Sequence, residues 1–154
     1  MVDPHPFEER QSLQDYFRTI MHTVVGQAFT AAGYQLQDEP MKWIGGRFRY
    51  MKHAGETETS IEFQILVYND TAWTGKQPSR FTVNLIPAMP ATQRSLSRLV
   101  VEDFGVAILP NADYWWVFQG TESLGKALAE AGHLVVGYGI PWLAGDLNPD
   151  DPLA

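Results

Sequence analysis

Three segments of the chain alternate between apolar and polar residues, and this pattern constrains the fold more than any other feature. They cover residues 42–51, 60–68 and 80–87. In a strand, successive side chains point to opposite faces, so each segment predicts a strand with one buried and one solvated face. The turn-forming stretches HAGETET and NDTAWTGKQPS separate the segments. We therefore expect an antiparallel meander whose apolar faces form one continuous surface.

An N-terminal helix is the expected cover for that apolar surface. Between residues 13 and 32, apolar side chains recur at spacings of three and four, which is typical of an amphipathic helix. Ser12 is a candidate N-cap. Gly33 suits the left-handed position after the helix, with Tyr34 folding back onto Phe29.

The second half of the chain predicts shorter elements and one more long helix. Residues 92–100 favour a short helix, because their apolar side chains share one helical face. Residues 104–109 and 114–118 are expected to form a hairpin around a proline-containing turn. A second long helix is expected to begin at Thr121 and to break near Gly132, since glycine weakens a helix interior.

These elements predict an α+β protein. Its mostly antiparallel sheet, the meander plus the hairpin, would be covered by the long N-terminal helix and a C-terminal helix. At 154 residues, the chain fits a single domain covering residues 1–154. Residues 1–10 and 146–154 are expected to be frayed ends.

The composition excludes several classes of chemistry and of location. The chain contains no cysteine, which excludes disulfides, thiolate metal sites and a cysteine nucleophile. The N-terminus lacks a basic and apolar leader, and no apolar run reaches the length of a membrane span. We expect a cytoplasmic protein that does not enter a membrane.

The charge of the chain is acidic overall but unevenly distributed. The formal net charge of −7 argues against nucleic acid as a partner, because the phosphate backbone would repel the molecule. Residues 42–98, however, carry eight basic and four acidic side chains. An anionic group on a partner would therefore meet this middle segment.

Reactive side chains form no recognisable catalytic motif. The histidines His5, His22, His53 and His133 lack the spacing of metal ligands. His22 falls on the polar flank of the first helix and is expected to be solvated. There is no Gly-x-Ser-x-Gly elbow and no phosphate-binding glycine loop. We expect no metal and no cofactor, and a non-enzymatic role is favoured while the question of catalysis stays open.

The polar face of the meander is the first candidate interaction surface. If the strands pair as neighbours, seven polar side chains share this face: Arg47, Arg49, Glu62, Gln64, Arg80, Thr82 and Asn84. Guanidinium groups bind carboxylates and phosphates through forked hydrogen bonds. In the alternative interpretation, Glu62 pairs across strands with Arg49 or Arg80, and the face merely contacts water or a second helix.

The aromatic stretch NADYWWVFQG is the second candidate. In a strand its side chains divide into two sets, with Tyr114, Trp116 and Phe118 on one face and Trp115 and Val117 on the other. One set is expected in the core. The segment 140–143 would then cover the other set, and a partner protein is the competing cover. Trp115 and Trp142 are the candidate contact residues.

Several short motifs occur in an order that resembles a known family of bacterial domains. They are Gly33-Tyr34 after the first helix, the strand Phe81–Leu85, the pair Trp115-Trp116, and the Pro-Trp-Leu element at 141–143. Over residues 13–144 the chain resembles domain of unknown function 4304. The resemblance implies a single α+β domain with a mostly antiparallel sheet. The family carries no established activity, so the resemblance implies no catalytic residues.

The expected function is that of a small, non-enzymatic binding or accessory protein, with an immunity-type protein as one form of it. Its partner would be another protein or an anionic small molecule, held on the basic face of the sheet, and neither nucleic acid nor a membrane. The alternative is a small-ligand sensor or an enzyme with a pocket between the sheet and the C-terminal aromatic segment, residues 114–143. A homodimer that covers the aromatic stretch is a third interpretation.

Overall fold

The fold was analysed in a computed structural model, which describes residues 6–37, 46–66, 79–89 and 92–149. Its helices are α1 (Pro6–Ala31), α2 (Leu96–Arg98), α3 (Thr121–Leu134) and α4 (Ile140–Leu143). Its strands are β1 (Gln35–Leu36), β2 (Arg47–Ala54), β3 (Thr57–Leu66), β4 (Ser79–Ile86), β5 (Arg94–Ser95) and β6 (Trp116–Phe118). A π-helical turn, Leu99–Asp103, continues α2, and a second one, Val135–Gly139, joins α3 to α4.

The strands form one antiparallel sheet in the order β1-β2-β3-β4, and both β5 and β6 pair with β4. The predicted meander corresponds to β2, β3 and β4. In the hairpin between β2 and β3, Ala54 lies opposite Thr57, and Gly55 adopts a φ of 65°. A two-residue turn of this kind needs positive φ, which glycine adopts without a steric penalty. The α+β class with its mostly antiparallel sheet is confirmed.

Helix α1 ends in the hydrogen-bonding pattern that the sequence predicts. Gly33 has a φ of 95°. The Gly33 N–H donates to the Thr30 carbonyl, and the Tyr34 N–H donates to the Phe29 carbonyl, each at 2.9 Å. These two bonds define a Schellman motif, which satisfies carbonyl groups at the helix end and turns the chain toward β1.

The beginning of α1 differs from the prediction. The helix already starts at Pro6, so Ser12 lies inside it and the predicted N-cap is wrong. Proline suits the first turn, because the N–H that it lacks would have no partner within the helix there. Of the ends predicted to be frayed, residues 1–5 and 150–154 lie outside the described residues.

The core lies between α1 and the apolar face of the sheet. The ring centroid of Phe17 lies 5.4 Å from that of Phe48 and 5.6 Å from that of Phe81. Further along α1, the Phe29 centroid lies 5.0 Å from that of Tyr50 in an edge-on contact. All five side chains are buried. The expected packing of the first helix on the meander is therefore confirmed.

Helix α3 packs beside α1 at a point where only a glycine fits. A Cβ atom added to Gly132 would lie 2.9 Å from Cγ1 of Val25, closer than real Cβ contacts. Gly132 therefore permits the close approach of the two helices. The α-helix ends at Leu134, two residues after the glycine near which a break was predicted, but the chain does not leave the helical path there. The helical path continues instead through the π-helical turn Val135–Gly139 and α4.

Residues 104–109 form no strand, so the predicted hairpin with 114–118 is wrong. The Phe104 N–H donates to the Leu99 carbonyl at 2.9 Å and closes the π-helical turn. The Phe104 ring then packs on Tyr138, with 5.5 Å between centroids. Strand β6 pairs with β4 instead. Phe104 thus ends one helical turn through its backbone N–H and contacts another through its ring.

The predicted short helix at residues 92–100 is displaced along the chain. Arg94 and Ser95 pair with β4, so the helix follows them and extends from Leu96 through Asp103. Ser95 caps α2, and its Oγ accepts a hydrogen bond from the Arg98 N–H at 3.2 Å. Because Arg94 and Ser95 are paired with β4, they cannot belong to the helix, and the helix starts after them.

Candidate functional site

The strand register places the predicted polar residues on one face of the sheet, called the polar face below. One row across the strands runs Arg49, Glu62, Asn84 and Ser95, and the next runs Arg47, Gln64 and Thr82. A third row runs Leu66, Arg80 and Val117. The common phase of β2, β3 and β4 is therefore confirmed, although Leu66 and Val117 make the third row largely apolar.

Arg49 and Glu62 form an ion pair across β2 and β3. Two guanidinium nitrogens donate to Glu62 Oε2, Nη2 at 2.7 Å and Nε at 3.2 Å. The Glu62 side chain is only 10% exposed and that of Arg49 is 27% exposed. Pairing of Glu62 with Arg49, the alternative considered from the sequence, is thus present. The charge of Arg49 is compensated within the sheet.

The three arginines do not form a uniformly basic surface. Arg47 is exposed, whereas Arg80 is partly buried and makes interactions of its own. The face is also less exposed to solvent than expected, because Glu62 and Thr82 are buried. A later part of the chain covers it, and Thr82 Oγ1 donates to the Tyr114 carbonyl at 3.3 Å. The prediction of a fully solvated, basic face is therefore wrong. The face is partly covered and carries mixed polar groups.

A surface pocket of about 330 Å³ lies where this later part of the chain meets the polar face. We call it the Trp115 pocket. Its lining from the sheet consists of Gln64, Thr82 and Asn84. Its remaining lining residues are Gln93, Arg94, Ser95, Ser97, Arg98, Asp113 and Trp115. The pocket therefore combines amide, hydroxyl, guanidinium and indole groups.

Both arginines of the Trp115 pocket are paired with carboxylates, Arg94 with two that lie outside the pocket lining and Arg98 with one inside it. Arg94 donates to Asp103 at 2.7 and 3.0 Å and to Glu102 at 3.2 Å. The hydrogen bond to Asp103 is the largest effect on the pKa of Arg94 and raises it, against a smaller opposing effect of burial. Arg98 Nε donates to Asp113 Oδ1 at 3.1 Å. Neither arginine presents an uncompensated positive charge.

Two amide side chains in the pocket have no hydrogen-bonding partner among the described residues. Gln64 and Asn84 belong to β3 and β4, and both are half-buried. The hydroxyls beside them are already used, since Thr82 donates to Tyr114, and Ser97 donates to the Ala112 carbonyl at 2.7 Å. These two amides and that of the exposed Gln93 are thus the amide groups of the pocket lining that are available to a ligand.

The aromatic stretch divides between core and pocket as its alternation predicts. Trp116 is buried, and its ring is stacked on Phe81 with 5.5 Å between centroids. Its indole N–H donates to Glu130 Oε1 at 3.3 Å. Tyr114 packs edge-on against Trp116 at 5.0 Å. Internal packing of this set, which also includes Phe118, is confirmed.

Trp115 and Val117, on the other face of this stretch, are not covered by the segment 140–143 that was expected to cover them. Trp115 is half-buried and borders the pocket with residues 93–98 and 113, and Val117 is exposed. The segment 140–143 instead packs on the core in a partly buried state. Trp142 belongs to that segment and is not part of the pocket lining. Of the two candidate tryptophans, Trp115 lines the pocket at the polar face and Trp142 does not.

Comparisons with protein-family models, curated proteins and solved structures found no match. The resemblance to domain of unknown function 4304 stays a prediction. Within the described ranges, no three or more acidic or histidine side chains are grouped to hold a metal ion. None of the helices in those ranges combines the length and apolar character of a membrane crossing.

A contact between His22 and Tyr50 was missed by sequence reasoning. His22 Nδ1 lies 2.8 Å from the Tyr50 hydroxyl, and the two rings are stacked with 6.0 Å between centroids. Burial raises the pKa of Tyr50. The His22 ring lies over Gly26, where a Cβ atom would approach Nδ1 to 2.7 Å. A glycine four residues after a helical histidine is the signal that could have indicated this folded-back ring.

Proposed function

We propose that this protein is a non-catalytic binding protein that holds its partner against the polar face, at the Trp115 pocket. The observation that carries the proposal is the combination of Gln64 and Asn84, two amides without a partner among the described residues, with the half-buried Trp115 in one pocket. Binding sites typically pair an apolar or aromatic wall with a few polar groups that orient the ligand. Tryptophan is also enriched among the residues that dominate binding energy.

Arg47 extends this contact surface beyond the pocket. It lies in the same cross-strand row as Gln64 and Thr82, two residues of the pocket lining. Neighbouring strands are about 4.8 Å apart, so a partner seated in the pocket can also reach the Arg47 side chain. Because Arg47 is the exposed arginine of the predicted set, an acidic group at the edge of a partner would bind there.

The runner-up function is a small-ligand sensor or an enzyme that uses the same pocket. A volume of about 330 Å³ falls at the lower end of the range for small-molecule sites. Catalysis would also require a positioned acid, base or nucleophile. Among the lining residues, Asp113 is the sole carboxylate, and its side chain is 76% exposed and paired with Arg98. The pocket thus favours binding over chemistry.

The test is capture of a partner from a lysate of the source organism on immobilised protein. Trp115→Ser and Arg47→Glu should each reduce the captured amount of the same partner several-fold. Lys126→Glu is the charge-matched control, because Lys126 is an exposed residue of α3, outside the polar face. Equal capture by all four proteins, with unchanged thermal stability, would contradict the proposed contact surface.

A further inference from the structure

The Trp115 pocket has an unusual balance of hydrogen-bonding groups. The hydroxyls of Thr82 and Ser97 donate hydrogen bonds to backbone carbonyls of the protein itself. Ser95 Oγ is used as the cap of α2. The primary amides of Gln64 and Asn84 have no partner in the part of the chain that the structure describes, so each retains one acceptor oxygen and two N–H donors. A ligand that satisfies both must offer donors and acceptors side by side.

The two amides are close enough to act on one small molecule. Gln64 lies opposite Thr82, and Asn84 is two residues further along the same strand, so Gln64 and Asn84 are diagonal neighbours. Diagonal pairs on one face of a sheet are about 7 to 8 Å apart at Cα and are still within reach of long side chains. They can therefore contact two edges of the same ring system.

Trp115 supplies a flat surface next to these amides. Its side chain is half-buried, so part of the indole remains accessible at the pocket. Flat heterocycles stack on exposed aromatic side chains without regard to ring substituents, whereas asparagine and glutamine read the donor and acceptor pattern of a ring edge. Together the three side chains form the elements of a heterocycle site.

The electrostatics of the pocket disfavour a ligand whose recognition depends on strong negative charge. Arg94 is compensated by Asp103 and Glu102, and Arg98 is compensated by Asp113. The chain as a whole carries a formal net charge of −7. Of these carboxylates, Asp113 lines the pocket, so a bound phosphate or dicarboxylate would be repelled by its negative charge, whereas a neutral ring would not.

We infer that the Trp115 pocket binds a small, neutral nitrogen heterocycle of the nucleobase class, stacked on Trp115 and hydrogen-bonded by Gln64 and Asn84. This inference rests on the proposed binding function and specifies the kind of partner. It narrows the expectation of an anionic ligand, because Arg94 and Arg98, the arginines that line the pocket, are paired with carboxylates. The volume of about 330 Å³ suits a single ring system better than an extended peptide.

The experiment is an NMR titration of the full-length, ¹⁵N-labelled protein with adenine, cytosine and uracil. Benzoate and inorganic phosphate serve as anionic probes. The side-chain amide signals of Gln64 and Asn84 and the indole N–H signal of Trp115 should shift together with at least one base. Benzoate and phosphate should leave those three signals unchanged.

Variants test the assigned contacts. Asn84→Asp preserves the shape but removes the N–H donors, and Trp115→Leu removes the stacking surface. Each should weaken base binding about tenfold, the effect expected for one lost polar or stacking contact. Gln27→Glu, a change of an exposed amide on α1, is the matched control and should leave the affinity unchanged.

Two outcomes would overturn the inference. If none of the bases binds, or if binding is unaffected by both pocket variants, the pocket is not a heterocycle site. If benzoate or phosphate binds in place of the bases, the ligand class is wrong. In either case, partner capture that still depends on Trp115 would preserve the proposed function, and only loss of that dependence would contradict both.

Discussion

Arg49 and Glu62 form an ion pair across two neighbouring strands, with 2.7 Å between Nη2 and Oε2, on the face of the sheet that the sequence marks as polar. The pair separates the role of Arg49 from that of Arg47, which lies on the same face of the same strand but is exposed. Arg49 stabilises the sheet, whereas Arg47 remains available to a partner. The two residues therefore call for different mutational tests.

Arg49→Ala should lower the free energy of unfolding by about 1–3 kcal/mol, because it leaves the largely buried Glu62 carboxylate without its partner. Arg47→Ala, at an exposed position two residues away, should change it by less than about 0.5 kcal/mol. Urea denaturation of both variants measures the difference. Equal stabilities would show that the ion pair contributes nothing to folding.

Gly132→Ala should destabilise the protein by about 1–3 kcal/mol through overpacking against Val25, although alanine favours the helix by about 1 kcal/mol. Gly125 lies in the same helix, and nothing lies within 4 Å of the corresponding Cβ position. Gly125→Ala should therefore stabilise the protein. Thermal denaturation of the two variants compares them, and stabilisation by both would contradict the close approach of α1 and α3.

His22→Ala should cost about 1 kcal/mol of stability, because the Tyr50 hydroxyl loses its partner. Burial favours the protonated phenol, whose hydroxyl can donate to Nδ1 or accept from it, depending on the imidazole tautomer. In a double-mutant cycle with Tyr50→Phe, the coupling energy should be about 0.5–1.5 kcal/mol. His133→Ala, at an exposed position on α3, is the control and should be nearly neutral. A coupling energy near zero would argue against the hydrogen bond.

Stability should fall in alkaline solution as a consequence of the raised pKa of Tyr50. In the unfolded chain a tyrosine ionises near pH 10, whereas the buried phenol holds its proton to higher pH. Below about pH 9 the contribution is complete. As the pH rises from about 10 toward the folded-state pKa, unfolding releases a proton and the free energy of unfolding decreases.

The measurement for this prediction is urea denaturation at about pH 9 and about pH 11. Tyr50→Phe should lose less stability than the wild-type protein over this interval. Tyr34, whose pKa is also raised by burial, should contribute to the loss of stability in both proteins. An identical loss in the two proteins would contradict a protonated, buried Tyr50.

Much of the polar face was predictable because it follows from strand periodicity. The alternation in β2, β3 and β4 predicts which side chains share a face, and the register confirms this for Arg47, Gln64 and Asn84. The choice of Arg49 rather than Arg80 as the partner of Glu62 was not predictable. It depends on register, which places Arg49 directly opposite Glu62 and Arg80 opposite Leu66.

The Trp115 pocket could be predicted only in part. Alternation indicates that Trp115 points away from Trp116, and this is confirmed. Which part of the chain covers it depends on contacts distant in sequence: β5 and β6 both pair with β4, and this brings residues 93–98 over the polar face. The short apolar run at 104–109 fits a strand or a helix end equally well, because its periodicity does not distinguish them.

By itself, the sequence determined the elements with a strong local period: the amphipathic helix α1, its stop at Gly33, and the two faces of the meander. These follow from backbone geometry and from the side chains of the segment itself. Only the tertiary structure decided which polar groups are paired within the protein, as Arg49 is, and which are available to a ligand, as Asn84 is. The physical reason is that ion pairs and pockets form between segments far apart in the chain, and pairing and packing bring those segments together.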